Sequence, residues 1–362
     1  SVLDDREFIF GHLPPGESRT WTVEIDIPKD TETRHELVKF QLSDERQNYG
    51  KPRTASVQLR SRDRPKFAFS YSIHDDSGDG VLQVGESIRF ETFVGNRGRA
   101  ASSKARVFLR NHSGDDLYLE TGRAQIEGLK PKSVEPVDFK FRIKNRPDDG
   151  NVDLQVGVYD STFREYVEKK FEVPFGEKNG SASDASGTAT IGDQPVPAYP
   201  GTDEAYSPLA KLQAGSRLPV VGRTDGWFEV DLGRQHGWVR ADVVEYEAGG
   251  STEPPSSIQW MAYESPAFDI QPETRTTSSS TVELSGSVSD NTSIKDYYTY
   301  VYHRENSSSE VQSRKVDYRS VGQPTAELTQ KIPLFEGMNR ISVVARDEQM
   351  MTSQETIYVY RK

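Results

Sequence analysis

The residues with the clearest capacity for chemistry form a short acidic loop. Residues 75–86, DDSGDGVLQVGE, fit the calcium-loop pattern D-x-[DN]-x-[DN]-G-x₅-E, in which spaced oxygen donors precede a turn glycine and a closing glutamate. Such a loop wraps a hard cation in oxygen ligands. The expected ligands are the side chains of Asp75, Ser77 and Asp79, the backbone carbonyl of Val81 and the carboxylate of Glu86.

Two features leave the role of this loop open. Ser77 stands where the pattern has Asp or Asn, and the flanking residues 67–73 and 87–94 alternate like strands instead of forming a helix pair. A turn rich in Asp and Gly that binds no metal accounts for the same residues. If calcium binds, we expect it to be a structural staple and not a sensor, because no switching helices flank the loop.

Catalytic motifs are missing from the sequence. It contains no H-E-x-x-H, no G-x-S-x-G, no phosphate-binding G-x-x-x-x-G-K-[ST], and no G-x-G-x-x-G that opens a helix. Acidic pairs such as Asp115-Asp116 lie in turn-like stretches. The histidines are widely spaced and mostly in polar surroundings: His12, His35, His74, His112, His236 and His303. We therefore expect no enzyme active site in this chain.

Composition narrows the class of protein further. The chain has 362 residues, no cysteine, a net charge of −11 and only 34% apolar residues. This length and low apolar content predict several thin modules instead of one bulky core. The acidic balance argues against nucleic-acid binding, and the absence of cysteine excludes disulfides and thiolate metal sites. No apolar run is long enough to insert into a membrane, and the first residues show no secretion signal.

The elements that must position these residues have the pattern of strands nearly throughout. Short alternating runs recur, as at 21–27, 139–143, 154–158 and 341–345, and turn residues separate them at intervals typical of sandwiches and small barrels. No amphipathic helix of three turns is evident. A stripe of alternating tyrosines, Tyr298, Tyr300 and Tyr302, is expected to pack in a core.

Composition also marks the boundaries of the modules. Residues 176–187 lack large apolar side chains and are expected to be a flexible linker, while 247–257 reads as a second hinge and 62–65 as a tight junction. These breaks divide the chain into four predicted units: 1–63, 66–175, 188–247 and 258–362.

An internal repeat relates the first unit to the second. A shift of 116 residues places Leu13 and Pro15 on Leu129 and Pro131, and the apolar positions of 21–27 on those of 137–143. Residues 1–63 therefore read as the C-terminal half of a module whose complete copy is 66–175. Half a sandwich exposes its inner face and a strand edge. We expect the missing strands to belong to a longer protein or a partner chain.

The third unit resembles a bacterial SH3-like domain. The resemblance rests on VPAYPG from Val196, LQAGSRLPVVGRTDGWFEV from Leu212 and GWVRADVV from Gly237. It implies a small barrel with an aromatic cleft that binds peptides or cell-wall material. The cleft candidates are Tyr199, Tyr206, Trp227 and Phe228. Core packing is the alternative for the tryptophans, and it is the favoured one for Trp238.

The other units resemble immunoglobulin-like modules of bacteria. Residues 75–100 and GLKPKS from Gly128 are similar to CARDB-type adhesion modules, and VELSGSVSDNTSIKDYYTYVY from Val282 is similar to immunoglobulin-like or fibronectin-like domains. The predicted fold class is therefore all-β, a string of Ig-like sandwiches with one small SH3-like barrel.

This order of modules resembles the C-terminal, non-catalytic region of bacterial carboxy-terminal-processing serine peptidases. The resemblance implies an accessory or scaffolding region of a periplasmic or cell-surface protein. Its expected partner is a protein, either the N-terminal part of the same precursor or the parent peptidase. The alternative is an adhesion or cell-wall module that binds a peptidoglycan peptide through the SH3-like cleft.

Overall fold

The computed structural model describes residues 6–44, 48–176, 182–250, 253–255, 258–270, 275–304 and 311–362. Within these residues the chain forms twenty-five strands, and its helices are two 3-10 turns at Gly114–Asp116 and Ala241–Val243. The fold is all-β, as the sequence predicts. Neither turn has the length or the apolar character needed to cross a membrane.

The first segment, residues 6–62, contains one hairpin. Its strands pair with each other in a two-stranded antiparallel sheet. The described residues before this hairpin form no strand, so the strand predicted at 21–27 is not present. The physical reason is the lack of a neighbour: an extended segment becomes a strand only when another backbone takes up its hydrogen bonds. The strands are β1 (Arg34–Ser43) and β2 (Asn48–Leu59).

The second module is a sandwich of two antiparallel sheets. Its core contains Phe90, Phe139 and Val156, each fully buried between the layers. The strands are β3 (Phe67–His74), β4 (Ser87–Asn96), β5 (Lys104–Asn111), β6 (Leu117–Thr121), β7 (Arg123–Glu127), β8 (Val134–Ile143), β9 (Asn151–Asp160) and β10 (Glu165–Pro174). One layer has the order β3-β4-β8-β6 and the other β10-β9-β5-β7.

From His35 to Phe40, the hairpin of the first segment repeats the register of the last hairpin of the second module. Val38 lies opposite Ala55 in the β1–β2 pair. Adding 116 to each number gives Leu154 and Phe171, and these two residues lie opposite each other in the β9–β10 pair. The backbone pairing therefore agrees with the repeat read from the sequence.

The third module contains seven strands among the described residues. The strands are β11 (Ser183–Ile191), β12 (Val196–Ala198), β13 (Ala210–Leu212), β14 (Arg217–Thr224), β15 (Trp227–Asp231), β16 (His236–Arg240) and β17 (Val244–Ala248). Their main sheet has the order β16-β15-β14-β11-β17. The first strand begins at Ser183, inside the stretch 176–187 that the sequence predicts to be a flexible linker, because the backbone pairs with β14 from Ser183 and with β17 from Gly187.

Residues 258–264 pair with both the second and the third module, a contact that the sequence does not predict. Strand β18 (Gln259–Trp260) pairs with β13, and β19 (Tyr263–Glu264) then adds a fifth, edge strand to the second module beside β3. The sequence predicted the start of a separate unit at 258. Instead, residues 258–264, here called the clip, contact the second module, the third module and, through Ala262, the terminal module.

The terminal module is a sandwich built around two long, bent strands. Its strands are β20 (Ala267–Ile270), β21 (Arg275–Thr277), β22 (Thr281–Arg304), β23 (Val311–Pro333), β24 (Gly337–Asp347) and β25 (Thr352–Arg361). Tyr297 and Val301 face the core, so the stripe of Tyr298, Tyr300 and Tyr302 lies on the opposite, partly exposed face. The expectation that this stripe is core is wrong, because alternation assigns residues to two faces without saying which is covered.

The clip provides a test of how firmly the modules are joined. The Tyr263 ring is buried and stacks on Phe69, with their centroids 5.1 Å apart, and on Phe171 at 6.1 Å. We expect Tyr263→Ala to lower the free energy of unfolding by about 3–5 kcal/mol, as for other buried aromatic rings. Urea unfolding followed by circular dichroism measures the loss.

Tyr166→Ala is the matched control, because Tyr166 is mostly exposed and its loss is expected to change stability by less than about 0.5 kcal/mol. Equal effects of the two substitutions would show that the clip does not hold the modules.

Candidate functional site

The four residues expected to line a cleft do not lie together on an open surface. Tyr199, Tyr206 and Trp227 are each 8% exposed or less and belong to the same buried cluster as the core of the second module. Phe228 lies apart, stacked on Tyr246 at 4.7 Å between ring centroids, against the core of the third module. Three of the four candidates therefore form an interface between modules.

The rings in this interface pack against each other as well as against the second module. Tyr199 meets Trp227 edge-on, with ring centroids 5.8 Å apart. Trp238, which the sequence favours as a core residue, is buried in the same cluster. Backbone hydrogen bonds between Tyr199 and Trp238, 2.8 Å in both directions, hold their two segments side by side. Aromatic pairs of this kind dominate the energy of an interface.

The acidic loop 75–86 lies against this aromatic interface. Thr202 Oγ1 donates to the carbonyl oxygen of Asp79 at 2.8 Å, and the Thr202 amide donates to the carbonyl oxygen of Gly80 at 3.0 Å. Burial raises the pKa of Tyr206, and the negative charges of Asp203 and the loop raise it further. The predicted metal loop and the predicted cleft thus occupy one junction.

The carboxylates of the loop already accept hydrogen bonds from the loop itself. Asp75 accepts from the Ser77 hydroxyl at 2.8 Å and from the Asp79 and Gly80 amides at 3.0 and 3.2 Å. Asp79 accepts from the Val81 amide and the Gln83 side chain, and Glu86 from the Gln83 amide. These bonds hold the turn in its observed shape.

Electrostatics agree with a loop closed on itself. Burial raises the pKa of Asp75, with a further contribution from Asp79, and burial also raises the pKa of Glu86. Across the described residues, no group of three or more His, Cys, Asp or Glu side chains is arranged to hold a metal. The calcium site predicted from Asp75, Ser77, Asp79, Val81 and Glu86 therefore stays a prediction.

A polar layer beside the rings was not predicted from sequence. Ser70 donates to the Gln235 side chain at 3.0 Å, and the Ser72 hydroxyl donates to the His236 carbonyl oxygen at 3.4 Å. Both serines lie on β3 and alternate with buried aromatic residues, which is the only sequence signal they give. Their hydrogen bonds form because the third module covers that face of β3.

The clip completes the interface on its other side. The Arg234 guanidinium lies 3.6 Å from the centroid of the Trp260 ring, and Arg97 pairs with Glu264 at 3.2 Å. Burial lowers the pKa of Arg234 to about 10, and the positive charge of Arg97 adds to this effect. A cation over an indole face is a favourable contact when it is partly removed from water.

Comparisons with known proteins give no family for this chain. No protein-family model matches it, and a search of curated proteins finds no matching sequence.

Gly80 makes a close backbone approach in this interface, and its role can be tested. Gly80 has a φ of +76°, and a Cβ there would lie 2.9 Å from Thr202 Cγ2 and 3.1 Å from Trp238 Nε1. We expect Gly80→Ala to destabilise the chain, through backbone strain plus a further penalty of about 1–3 kcal/mol for overpacking. Chemical unfolding measures the loss.

Gly85→Ala is the control, because Gly85 also has a positive φ of +91° but no atom lies within 4 Å of the point that a Cβ would occupy. Its loss of stability is expected to come from backbone strain alone. If both variants lose the same stability, the loop does not pack tightly on the third module.

Proposed function

We propose that this chain is a non-catalytic, protein-binding region of a larger exported bacterial protein. Its first segment would bind a polypeptide by strand complementation, in which strands from the partner complete an unfinished sheet. A single comparison carries this proposal: the same repeat positions are exposed in the first segment and buried in the second module.

The contrast between the two copies is large. In the first segment, four apolar side chains at alternate positions are between 40% and 57% exposed: Trp21, Val23, Ile25 and Ile27. Their counterparts 116 residues later lie on β8 and are 8% exposed or less: Val137, Phe139, Phe141 and Ile143. A row of exposed apolar side chains of this size marks a binding surface.

The second module indicates what the partner must supply. There, β8 pairs with β4 in antiparallel register, Arg142 opposite Ser87 and Val134 opposite Gly95. Subtracting 116 places the partner strand antiparallel to residues 18–26. It should carry alternating apolar residues, as β4 does with its fully buried Ile88 and Phe90.

The acceptor segment is held in place at its far end. The Arg64 guanidinium donates to the Asp30 carbonyl oxygen at 2.6 Å, and Arg164 pairs with the Asp30 carboxylate at 3.2 Å. Tyr358 of the terminal module donates to Glu32 at 2.6 Å. These contacts hold Asp30 and Glu32 against the second and terminal modules, a few residues from the exposed row. A preorganised acceptor loses less entropy on binding.

The resemblance to peptidase C-terminal regions guides the choice of partner. On that resemblance, the strands would come from the N-terminal part of the same precursor, in the periplasm or at the cell surface. The alternative, a cell-wall peptide in the SH3-like cleft, receives less support because Tyr199, Tyr206 and Trp227 are buried against the second module.

Complementation can be tested with strands that the chain itself provides. A peptide with the sequence of residues 67–96, which spans β3 and β4, is added to the full chain. We expect it to protect the amides of residues 18–27 from hydrogen exchange and to shift the fluorescence of Trp21 to the blue, because the indole leaves water.

Val23→Asp in the chain is the matched control. It changes an exposed side chain, so stability should change by less than about 0.5 kcal/mol, while binding of the peptide should be lost. Two results would contradict the proposal: no protection of residues 18–27 at about 1 mM peptide, or slow exchange there in the monomeric chain alone.

A further inference from the structure

Buried oxygens without a hydrogen-bond partner are concentrated at one place in the chain. Among the described residues, twelve buried side-chain nitrogen or oxygen atoms lack a partner, and five of them fall within residues 290–291 and 347–353. Such orphan groups are rare and each needs an explanation. All five are oxygens: Asp290 Oδ2, Asn291 Oδ1, Asp347 Oδ2, Gln349 Oε1 and Ser353 Oγ.

The two stretches are neighbours in the terminal module. Residues 290–293 form the bend of β22, and residues 347–351 form the turn between β24 and β25. Ile294 lies opposite Asp347 in the sheet, and the Glu348 amide donates to the Ser293 carbonyl oxygen at 3.0 Å. The topology therefore brings the orphan oxygens to the same end of the sandwich.

In Asp290, Asn291 and Asp347, the chain fixes the side chain through its other polar atom. Asp290 Oδ1 accepts from the Thr292 amide and hydroxyl at 2.8 and 2.6 Å. Asp347 Oδ1 accepts from the Met351 amide at 2.7 Å, and Asn291 Nδ2 donates to the Ala262 carbonyl oxygen at 2.8 Å. One oxygen of each group is thus oriented and left over. Ligands held in this way by outer contacts are typical of metal sites.

The charge of this cluster is poorly balanced. Burial raises the pKa of Asp347 to about 7, with a contribution from the charge of Asp290, whose own pKa is also raised by burial. Neither carboxylate has an ion-pair partner within 4.0 Å among the described residues. Lys169 donates to the Gln349 carbonyl oxygen, and its positive charge acts to lower the pKa of Asp347, while burial lowers the pKa of Lys169 itself.

The geometry points to a binding site for a divalent hard cation, calcium, formed by Asp290, Asn291, Asp347 and Gln349. Calcium takes six to eight oxygen ligands and accepts a mixture of carboxylate, amide and carbonyl oxygens. Magnesium is less suited, because it demands a small octahedral arrangement and releases its water reluctantly. With two carboxylates and two amides, the site differs from the acidic loop 75–86.

This site would act at the junction of two modules. Asn291 contacts the clip through Ala262, and Lys169 reaches Gln349 from β10 of the second module. Calcium there would neutralise the two buried carboxylates and fix the terminal module on the second. Lys169 competes with the ion for the same negative charge, so Lys169→Met is expected to strengthen calcium binding.

The test is calorimetric titration of the EDTA-treated full chain with calcium chloride at about pH 8, well above the ordinary pKa of a carboxyl group. We expect one site with a Kd of about 10⁻⁴–10⁻³ M, the range of extracellular calcium modules. Saturating calcium should also raise the melting temperature. Both effects should be lost in Asp347→Asn and in Asp290→Asn, and circular dichroism checks that these variants fold.

Glu86→Gln is the control, because it removes a carboxylate from the loop 75–86 and should leave binding unchanged. The proposal is overturned if the wild-type chain shows neither heat nor a melting shift at about 10 mM calcium. It is overturned equally if Glu86→Gln abolishes binding while Asp347→Asn retains it, since the loop would then be the site.

Discussion

Shared burial of aromatic rings is the interaction on which the arrangement of this chain depends. Tyr71 from the second module, Trp238 from the third and Tyr263 from the clip enter one continuous core. Each such ring removes a large apolar area from water, worth on the order of 4 kcal/mol before entropy is subtracted. The second module, the third module and the clip are held together because these rings are buried against each other.

In the first segment, apolar side chains lack such a partner and stay exposed. Its apolar pattern matches β8, and from His35 to Phe40 its hairpin has the register of β9 and β10. Yet the residues that correspond to β8 form no strand, because no neighbouring strand takes up their backbone hydrogen bonds. Exposure of Trp21 and Ile27 therefore depends on strand pairing and not on residue type, and the proposed binding of another polypeptide is based on it.

The loop 75–86 and the pair of Asp290 and Asp347 differ in how their carboxylate oxygens are bonded. The loop 75–86 has a strong sequence pattern, but its carboxylates are used by its own amide and hydroxyl donors. The pair of Asp290 and Asp347 has no pattern in sequence, being 57 residues apart, yet each keeps one buried oxygen without a donor. A sequence shows which residue types are present, while metal chemistry depends on which oxygens remain available after folding.

The sequence alone determined the all-β class, the positions of many strands and the repeat, because alternation and turn residues act over a few neighbouring positions. It did not determine which side of a strand is covered: the tyrosines from Tyr298 to Tyr302 lie outside, and Tyr199 and Trp227 lie inside an interface. Nor did it place Tyr263 beside Phe69, almost two hundred residues away. Only the tertiary structure decided these points, because burial is set by what packs against a face, and those contacts come from distant parts of the chain.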